Sequence, residues 1–158
     1  KMKLDWKEIS LTKNIGTLRG TLFHEIVAQC SYPYQQEEIL SYANSYGYAL
    51  KDYDIKQILA LNSNALYASW MNEKHVFEQS YIIKEKKQVV HGFMDLVIYK
   101  EDEIIIIDFK TDATDNENKL IDMYAAQLQT YKHSMERITN LPIKTYIYAF
   151  SLFKCILL

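Results

Sequence analysis

The sequence predicts an α/β domain built on a central mixed β-sheet flanked by helices. The first observation is a β-meander: segments rich in Val, Ile, Phe and Tyr, separated by short charged tips, at 75–84, 88–99 and 103–111. The second is a long segment of helical periodicity at about 118–139, followed by a further strand near 143–152. The third is an N-terminal region with apolar residues at helical spacing. The sheet should therefore be a meander plus one further strand, behind an N-terminal helical region.

Three helices are predicted in the N-terminal region, at residues 17–30, 35–46 and 54–72. The long C-terminal helix should end before Pro142, which has no backbone N–H to donate. One face of that helix carries Leu120, Tyr124, Gln127, Leu128, Tyr131 and Met135.

Length and composition predict one domain over residues 1–158, since 158 residues with 49% hydrophobic content can bury one substantial core. The chain begins Lys1-Met2 and stops on Leu158, which suggests a segment excised from a longer protein. Two cysteines without CxxC spacing favour a reduced cytosolic setting and no metal cluster. The apolar C-terminal stretch falls short of the roughly 20 residues that a membrane span needs. A net charge of −2 argues slightly against DNA, whose partners are usually basic.

The stretch "IIIIDFKTD", residues 104–112, places charges at the end of a buried strand. Asp108 and Lys110 are two positions apart, and side chains two apart on a strand share a face. An acid and a base should therefore point the same way where the chain leaves its core.

The meander also predicts a row of three carboxylates. If the charged tips are hairpin loops, Asp95 lies opposite Asp108, and Glu78 lies opposite Asp95. Like charges so placed are destabilising, and a hard cation such as Mg²⁺ or Mn²⁺ would offset the repulsion. Neither tip has Asn-Gly turn chemistry, so the register could slip, and acids that merely end strands in solvent are the simpler interpretation of each residue alone.

Four motifs in order, "GTLFHEIV", "GFMDLVI", "IIIIDFKTD" and "YAAQLQTY", resemble the RecB/AddA-type nuclease domain of the PD-(D/E)XK, or restriction-endonuclease-like, superfamily. The resemblance covers about residues 16–150. It implies a restriction-endonuclease-like core. It also implies a Mg²⁺ or Mn²⁺ site whose ligands are His24, Asp95, Asp108 and the backbone carbonyl of Phe109.

The same resemblance implies roles for four other side chains. Lys110 matches the catalytic lysine, and Glu78 matches an acidic position that assists the site through water. Gln127 and Tyr131 match a helix motif that lines the active site and the DNA channel. Without the family, their helix face would be read as ordinary core packing as readily as a site.

His24 can be weighed on its own surroundings. Gly20 and Ala28 lie one turn away on either side, so small side chains let a strand approach the helix closely. A lone helical histidine is more often structural or exposed, but three aligned acids reverse that expectation. The tyrosine-rich residues 32–53 could stack bases of single-stranded DNA, although mixed packing is the commoner role.

The resemblance implies a metal-dependent deoxyribonuclease, with exonuclease favoured over endonuclease. Related domains carry four cysteines for an iron–sulfur cluster, which two cysteines cannot supply, so we expect a cluster-free, AddA-like member. No P-loop occurs, so helicase domains should lie elsewhere in the parent chain or in a second helicase–nuclease subunit. The expected role is double-strand-break end processing and recombinational repair in the bacterial cytoplasm, without membrane attachment. The alternatives are a catalytically silent DNA-binding or scaffold module and a stand-alone phage-type or restriction-type nuclease.

Overall fold

The computed structural model describes residues 15–158, without the side chains of residues 15–17 and 85. The α-helices are α1 (Ile15–Gln29), α2 (Gln36–Ser45), α3 (Asp52–Leu59), α4 (Ala65–Met71) and α5 (Glu117–Glu136). The strands are β1 (Lys74–Glu85), β2 (Gln88–Tyr99), β3 (Ile104–Lys110), β4 (Ile143–Ala149) and β5 (Lys154–Leu157). None of the helices within residues 15–158 is both long enough and apolar enough to cross a membrane.

The five strands form one mixed sheet in the order β1-β2-β3-β4-β5. Neighbouring strands are antiparallel except β3 and β4, which run parallel because α5 returns the chain to the starting edge. The predicted architecture, a meander plus a further strand among helices, is confirmed. The same ladder makes β3 a central strand, so that its carboxyl end emerges from the middle of the sheet.

The register of the meander is the one that the charged tips predict. Glu85 pairs with Gln88 around the first tip, and Tyr99 pairs with Ile104 around the second. Both hairpins are thus closed by the loops that the sequence indicates, although neither loop has the favoured turn residues.

Two predicted elements are divided in the structure. The helix expected at 54–72 is interrupted by a 3₁₀ turn at Ala60–Ser63, after which Asn64 Oδ1 accepts a hydrogen bond from Tyr67 N at 2.9 Å and starts a new helix. The strand expected at 143–152 ends at Ala149, and a 3₁₀ turn leads into the unpredicted strand β5. Phe153, with a left-handed φ of 54°, makes that reversal.

Two hydrophobic cores cover the two faces of the sheet. The core on the first face, the α1 side, joins residues of α1 to α4 with alternate β3 residues such as Ile107 and Phe109. The core on the second face, the α5 side, joins α5 with Ile104 and Ile106. Because side chains alternate along a strand, Asp108 lies on the α5 side.

The β1–β2 hairpin changes faces near its middle. Phe77 and its partner Leu96 pack on the α1 side, whereas Tyr81 and Met94 pack on the α5 side. Glu78 lies at the change and has a φ of 55°, a left-handed conformation that is costly for a residue with a side chain. The face change therefore occurs beside Asp95.

Candidate active site

The candidate site lies where β2 and β3 separate. Their pairing ends at Leu96 and Ile107, so Asp95 and Asp108 are the next residues on the two strands. The two carboxyl groups are within hydrogen-bonding reach of each other, as the pairing predicts. Asp108 is only 2% exposed, which makes it a buried acid beside a second acid.

His24 reaches this fork from α1. Its Nδ1 is 2.6 Å from the carbonyl oxygen of Gly20, one turn earlier, and its Nε2 is 3.0 Å from Asp95 Oδ2. Since a carbonyl only accepts, Nδ1 carries a proton and Nε2 is the nitrogen directed at the acids. Fixing one ring nitrogen with a backbone carbonyl is how proteins orient histidine ligands.

A close approach of α1 to the end of β3 supports this arrangement. A side chain at Gly20 would place its Cβ 2.9 Å from Thr111 Oγ1, closer than ordinary packing allows. Arg19 joins the same elements, with its guanidinium 3.3 Å from the Thr111 carbonyl and 2.8 Å from Asp54 Oδ1. The small residue that the sequence suggested beside His24 therefore does admit a strand end.

Asp95 is held by the main chain as well. The backbone N–H of Phe109 donates to Asp95 Oδ2 at 2.8 Å. The N–H and C=O of one strand residue point to the same side, so the Phe109 carbonyl is directed toward β2 and the fork. This orientation is the one that the predicted backbone ligand requires.

The pKa values in the site depart from their ordinary values in opposite directions. Burial lowers the pKa of His24, but the charge and hydrogen bond of Asp95 outweigh it and bring the pKa to about 9. Burial raises the pKa of Asp95, but His24 and the Phe109 N–H together hold it below its usual value. Burial and then the charge of Asp95 raise the pKa of Asp108 to about 7, despite Lys110 nearby. A neighbouring pair of acids with separated pKa values is typical of functional sites.

Lys110 lies on the α5 side, on the same face as Asp108. Its Nζ is 2.7 Å from Asp108 Oδ2 and donates to Gln127 Oε1 at 3.0 Å. The contact with Asp108 has the length of a charged pair, but no donor within the described residues meets Asp108 Oδ2 at hydrogen-bonding angles. This buried oxygen therefore has a counter-charge without a directed hydrogen bond.

Gln127 continues the contact toward Tyr131. Its amide nitrogen donates to the Tyr131 hydroxyl at 2.8 Å, and Tyr131 itself is buried while Gln127 is exposed. The two residues that the helix motif singled out thus lie together, one turn apart, next to the lysine.

Tyr124 is a neighbour that sequence reasoning assigned only to the buried face of α5. Lys110 Nζ lies 3.9 Å from the centroid of its ring, and its hydroxyl donates to Asp112 Oδ2 at 2.8 Å. Its spacing, three residues before Gln127 on the same face, was the signal that could have pointed to the lysine.

Glu78 is the member of the predicted carboxylate row that stands apart. It lies opposite Asp95 in the ladder, but it is exposed, and within residues 15–158 its carboxylate has no hydrogen bond or ion pair. The left-handed backbone at Glu78 turns its side chain away from the regular ladder position. A row of three acids in contact is therefore reduced to a contacting pair with a third acid nearby.

A divalent cation suits the donors at the fork. The described residues contain no preformed group of three His, Cys, Asp or Glu side chains spaced to hold a metal ion, because His24 is paired with Asp95 and Lys110 with Asp108. The buried Asp108 Oδ2 without a directed donor is nevertheless an acceptor that a hard cation would satisfy. Two carboxylates and an oriented imidazole are also an appropriate ligand set for Mg²⁺ or Mn²⁺.

The tyrosine-rich residues 32–53 mostly serve packing. Tyr34 is buried, and its hydroxyl is 2.7 Å from that of Tyr67, with the Tyr32 ring against both. Tyr42 donates to Glu25 at 2.9 Å. Tyr53, at 53% exposure, remains open to solvent.

A model of the PD-(D/E)XK nuclease superfamily matches residues 3–151. The chain belongs to the PD-(D/E)XK nuclease superfamily. A relative with 40% identity over 75 residues belongs to an ATP-dependent helicase/nuclease of Ligilactobacillus salivarius, as one of its subunits, and the match covers 47% of this chain and 6% of that protein. The corresponding protein from Syntrophomonas wolfei is 28% identical over 107 residues, which cover 61% of this chain and 9% of that protein. The chain thus spans less than a tenth of these relatives.

The fold of this superfamily member is also found in a solved structure. A candidate exonuclease from Eubacterium rectale superimposes with a TM-score of 0.59 over 94% of this chain and 60% of that chain, at 12% sequence identity. At that identity the likeness shows the fold alone, and it confirms the predicted restriction-endonuclease-like architecture.

Proposed function

We propose that this nuclease-superfamily domain hydrolyses phosphodiester bonds in DNA with the help of Mg²⁺ or Mn²⁺. One observation carries the proposal: two adjacent carboxyl groups, Asp95 and Asp108, lie in a fork of the sheet with the ammonium of Lys110 2.7 Å from Asp108. Acids that merely ended strands in solvent would not be buried against each other.

The residues that would hold the cation are His24, Asp95, Asp108 and the backbone carbonyl of Phe109, with Glu78 assisting through water. When bound, the cation would polarise a phosphate oxygen and lower the pKa of a bound water. Metal binding requires His24 to lose its proton and Asp108 to be ionised, which the fork permits once a cation replaces their present partners.

Lys110 would act on the reacting phosphate rather than on the cation. Its ammonium carries the positive charge that can stabilise negative charge on a phosphate oxygen or orient the attacking water. Gln127, which is exposed and bonded to Lys110, would contact the substrate, and Tyr131 would fix the orientation of Gln127.

We further propose that the domain is the nuclease module of an AddA/RecB-like helicase–nuclease that processes double-strand-break ends for recombinational repair. The two relatives named as parts of an ATP-dependent helicase/nuclease, which this chain matches over a small part of their length, support this placement. Helicase domains in the parent chain, a bacterial cytoplasmic location and a second helicase–nuclease subunit belong to the same proposal. The acidic balance of this domain fits a protein whose other parts deliver the DNA.

End-labelled linear and circular single-stranded DNA, incubated with Mg²⁺, Mn²⁺ or EDTA, test the chemistry. We expect cleavage with either cation and none in EDTA, and cleavage of the linear form alone would assign an exonuclease. Asp108→Ala should abolish cleavage, whereas the matched control Asp102→Ala, at an exposed hairpin tip, should not. Cation binding without cleavage would instead support a catalytically silent module, and cleavage in EDTA would overturn the metal-dependent function.

A further inference from the structure

Tyr124 is in contact with Lys110 at two removes. Its ring faces the lysine ammonium at 3.9 Å, and its hydroxyl is bonded to Asp112, which follows Lys110 by two residues. The ring thus touches the lysine, and the hydroxyl is tied to the segment on which the lysine is carried.

We propose that Tyr124 is a positioning residue for Lys110, with its ring, tethered by Asp112, holding the lysine ammonium beside Asp108. The inference rests on the proposed nuclease function, because it assigns Lys110 a place that matters for the reaction. Tyr124 touches neither of the acids, so its effect would be exerted through the lysine.

A lysine in this place needs such support. Its ammonium ends a flexible four-carbon stem, and holding it in one position costs side-chain entropy. Asp108 and Gln127 contact the ammonium, but Gln127 is exposed and is held only by Tyr131. An aromatic face provides attraction without a single required angle, and Lys110 is only 15% exposed, where such attraction is stronger than in water.

The tether is what makes the ring a fixed surface. The Tyr124 hydroxyl donates to a carboxylate, and a hydrogen bond to a charged partner is among the strong ones. Burial and the bond to Asp112 raise the pKa of Tyr124 to about 12, so the hydroxyl keeps its proton and continues to donate. The ring is therefore held by α5 at one end and by the segment after β3 at the other.

Simple packing is the competing explanation, and it predicts different behaviour. Leu120 and Leu128 of the same helix are about 1% exposed, whereas Tyr124 is half-buried. A residue that only packs would lose stability when shortened, without moving the lysine or slowing one step of the reaction.

Two readouts separate positioning from packing. The first is the proton shift of the Lys110 ε-methylene in lysine-labelled protein, assigned by its loss in Lys110→Arg. A ring face shifts nearby protons to lower frequency, so the signal should return to the ordinary lysine position in Tyr124→Leu and stay shifted in Tyr124→Phe. The control Tyr53→Leu, at an exposed tyrosine of α3, should leave it unchanged.

The second readout is kinetic, with Mn²⁺ and linear single-stranded DNA. Tyr124→Leu should lower kcat about 10-fold at unchanged Mn²⁺ affinity, and Tyr124→Phe, which retains the ring, about 3-fold. Tyr124→Phe and Asp112→Ala remove the same bond, so the double variant should be no slower than the slower single one. These two variants keep the ring, and they test the tether even if Tyr124→Leu does not fold.

The outcomes are distinct from those of the nuclease test. If the wild type cleaves no DNA with Mn²⁺, the proposed function fails, and the methylene shift alone then decides the positioning. A shift that survives in Tyr124→Leu, a kcat unchanged in that variant, or additive effects of Tyr124→Phe and Asp112→Ala would each overturn the inference.

Discussion

The two halves of the candidate site are held in different ways. In the main-chain-held half, His24 and Asp95 are each fixed by a backbone group, the Gly20 carbonyl and the Phe109 N–H. Backbone groups cannot turn away without moving α1 or β3, so the geometry of this half is set by the packing of whole elements.

The side-chain half has no comparable backbone contact. Asp108, Lys110, Gln127 and Tyr131 form a chain of side-chain contacts, with the Tyr124 ring beside it. Long side chains can exchange partners at little cost, so this half can rearrange when substrate arrives. The difference teaches that ligand geometry is built into the fold, whereas the reacting group depends on several neighbouring side chains.

Lys110→Ala breaks the side-chain half most directly. We expect turnover to fall about 100-fold or more, since general acid–base and electrostatic groups each contribute on this scale. Metal affinity, measured by calorimetry at pH 8, should change little because the main-chain-held half is intact. Lys56→Ala, at an exposed lysine of α3, is the control. Loss of metal binding together with turnover would make Lys110 a structural residue.

Asp108→Asn tests the repulsion between the halves. Unit charges about 4 Å apart repel by about 4 kcal/mol at an effective dielectric of 20, so the variant should melt in EDTA at the wild-type temperature or higher. Mn²⁺ at about 100 times its Kd should stabilise wild type by about 2.7 kcal/mol, or several degrees, and the variant far less.

Differential scanning fluorimetry on wild type, Asp108→Asn and the exposed control Asp102→Asn measures both effects. Equal shifts with Mn²⁺ in all three proteins would remove Asp108 from the cation site. A clearly less stable Asp108→Asn in EDTA would show that the carboxylate makes net favourable contacts instead.

The pH dependence of stability in EDTA distinguishes the halves by their pH windows. A pKa of about 7 for Asp108 means that the folded state binds its proton more tightly than the unfolded state, so stability falls between about pH 4 and 7. The pKa of about 9 for His24 gives stability that is complete below about 6.5 and lost as pH rises through 9.

Urea unfolding at intervals from pH 5 to 9 should therefore show a continuous decline in the free energy of unfolding. His24→Gln should flatten the decline above pH 6.5 and leave the lower part in place, whereas Asp108→Asn should do the reverse. A wild-type stability that rises from pH 5 to 9 would contradict both assignments.

Gly20→Ala should have the smallest effect and sharpens the comparison. The new Cβ would meet Thr111 Oγ1 at 2.9 Å, an overpacking cost of about 1–3 kcal/mol, which the helix propensity of alanine offsets by about 1 kcal/mol. We expect stability to change little but Mn²⁺ affinity to weaken several-fold, because His24 moves with α1. Thr111→Ala, which removes the facing hydroxyl oxygen, should restore the affinity of Gly20→Ala, and failure to do so would separate His24 from this contact.

The sequence by itself determined the meander, its register and the shared face of Asp108 and Lys110. Strand alternation and short hairpin tips act between residues close in the chain, so local pattern is sufficient to predict that Asp95 lies opposite Asp108. The resemblance added His24, Gln127 and the rest of the implied set, and the structure brings these residues to one fork.

Only the tertiary structure decided how that fork is built. The contact of His24 with Asp95 joins residues 71 positions apart, and it depends on the packing of α1 against the end of β3. The turning of Glu78 away from the ladder depends on the face change of the hairpin between two different cores. The ring of Tyr124 meets Lys110 because α5 crosses the sheet at one angle, and no local periodicity encodes the relative placement of a helix and a strand end.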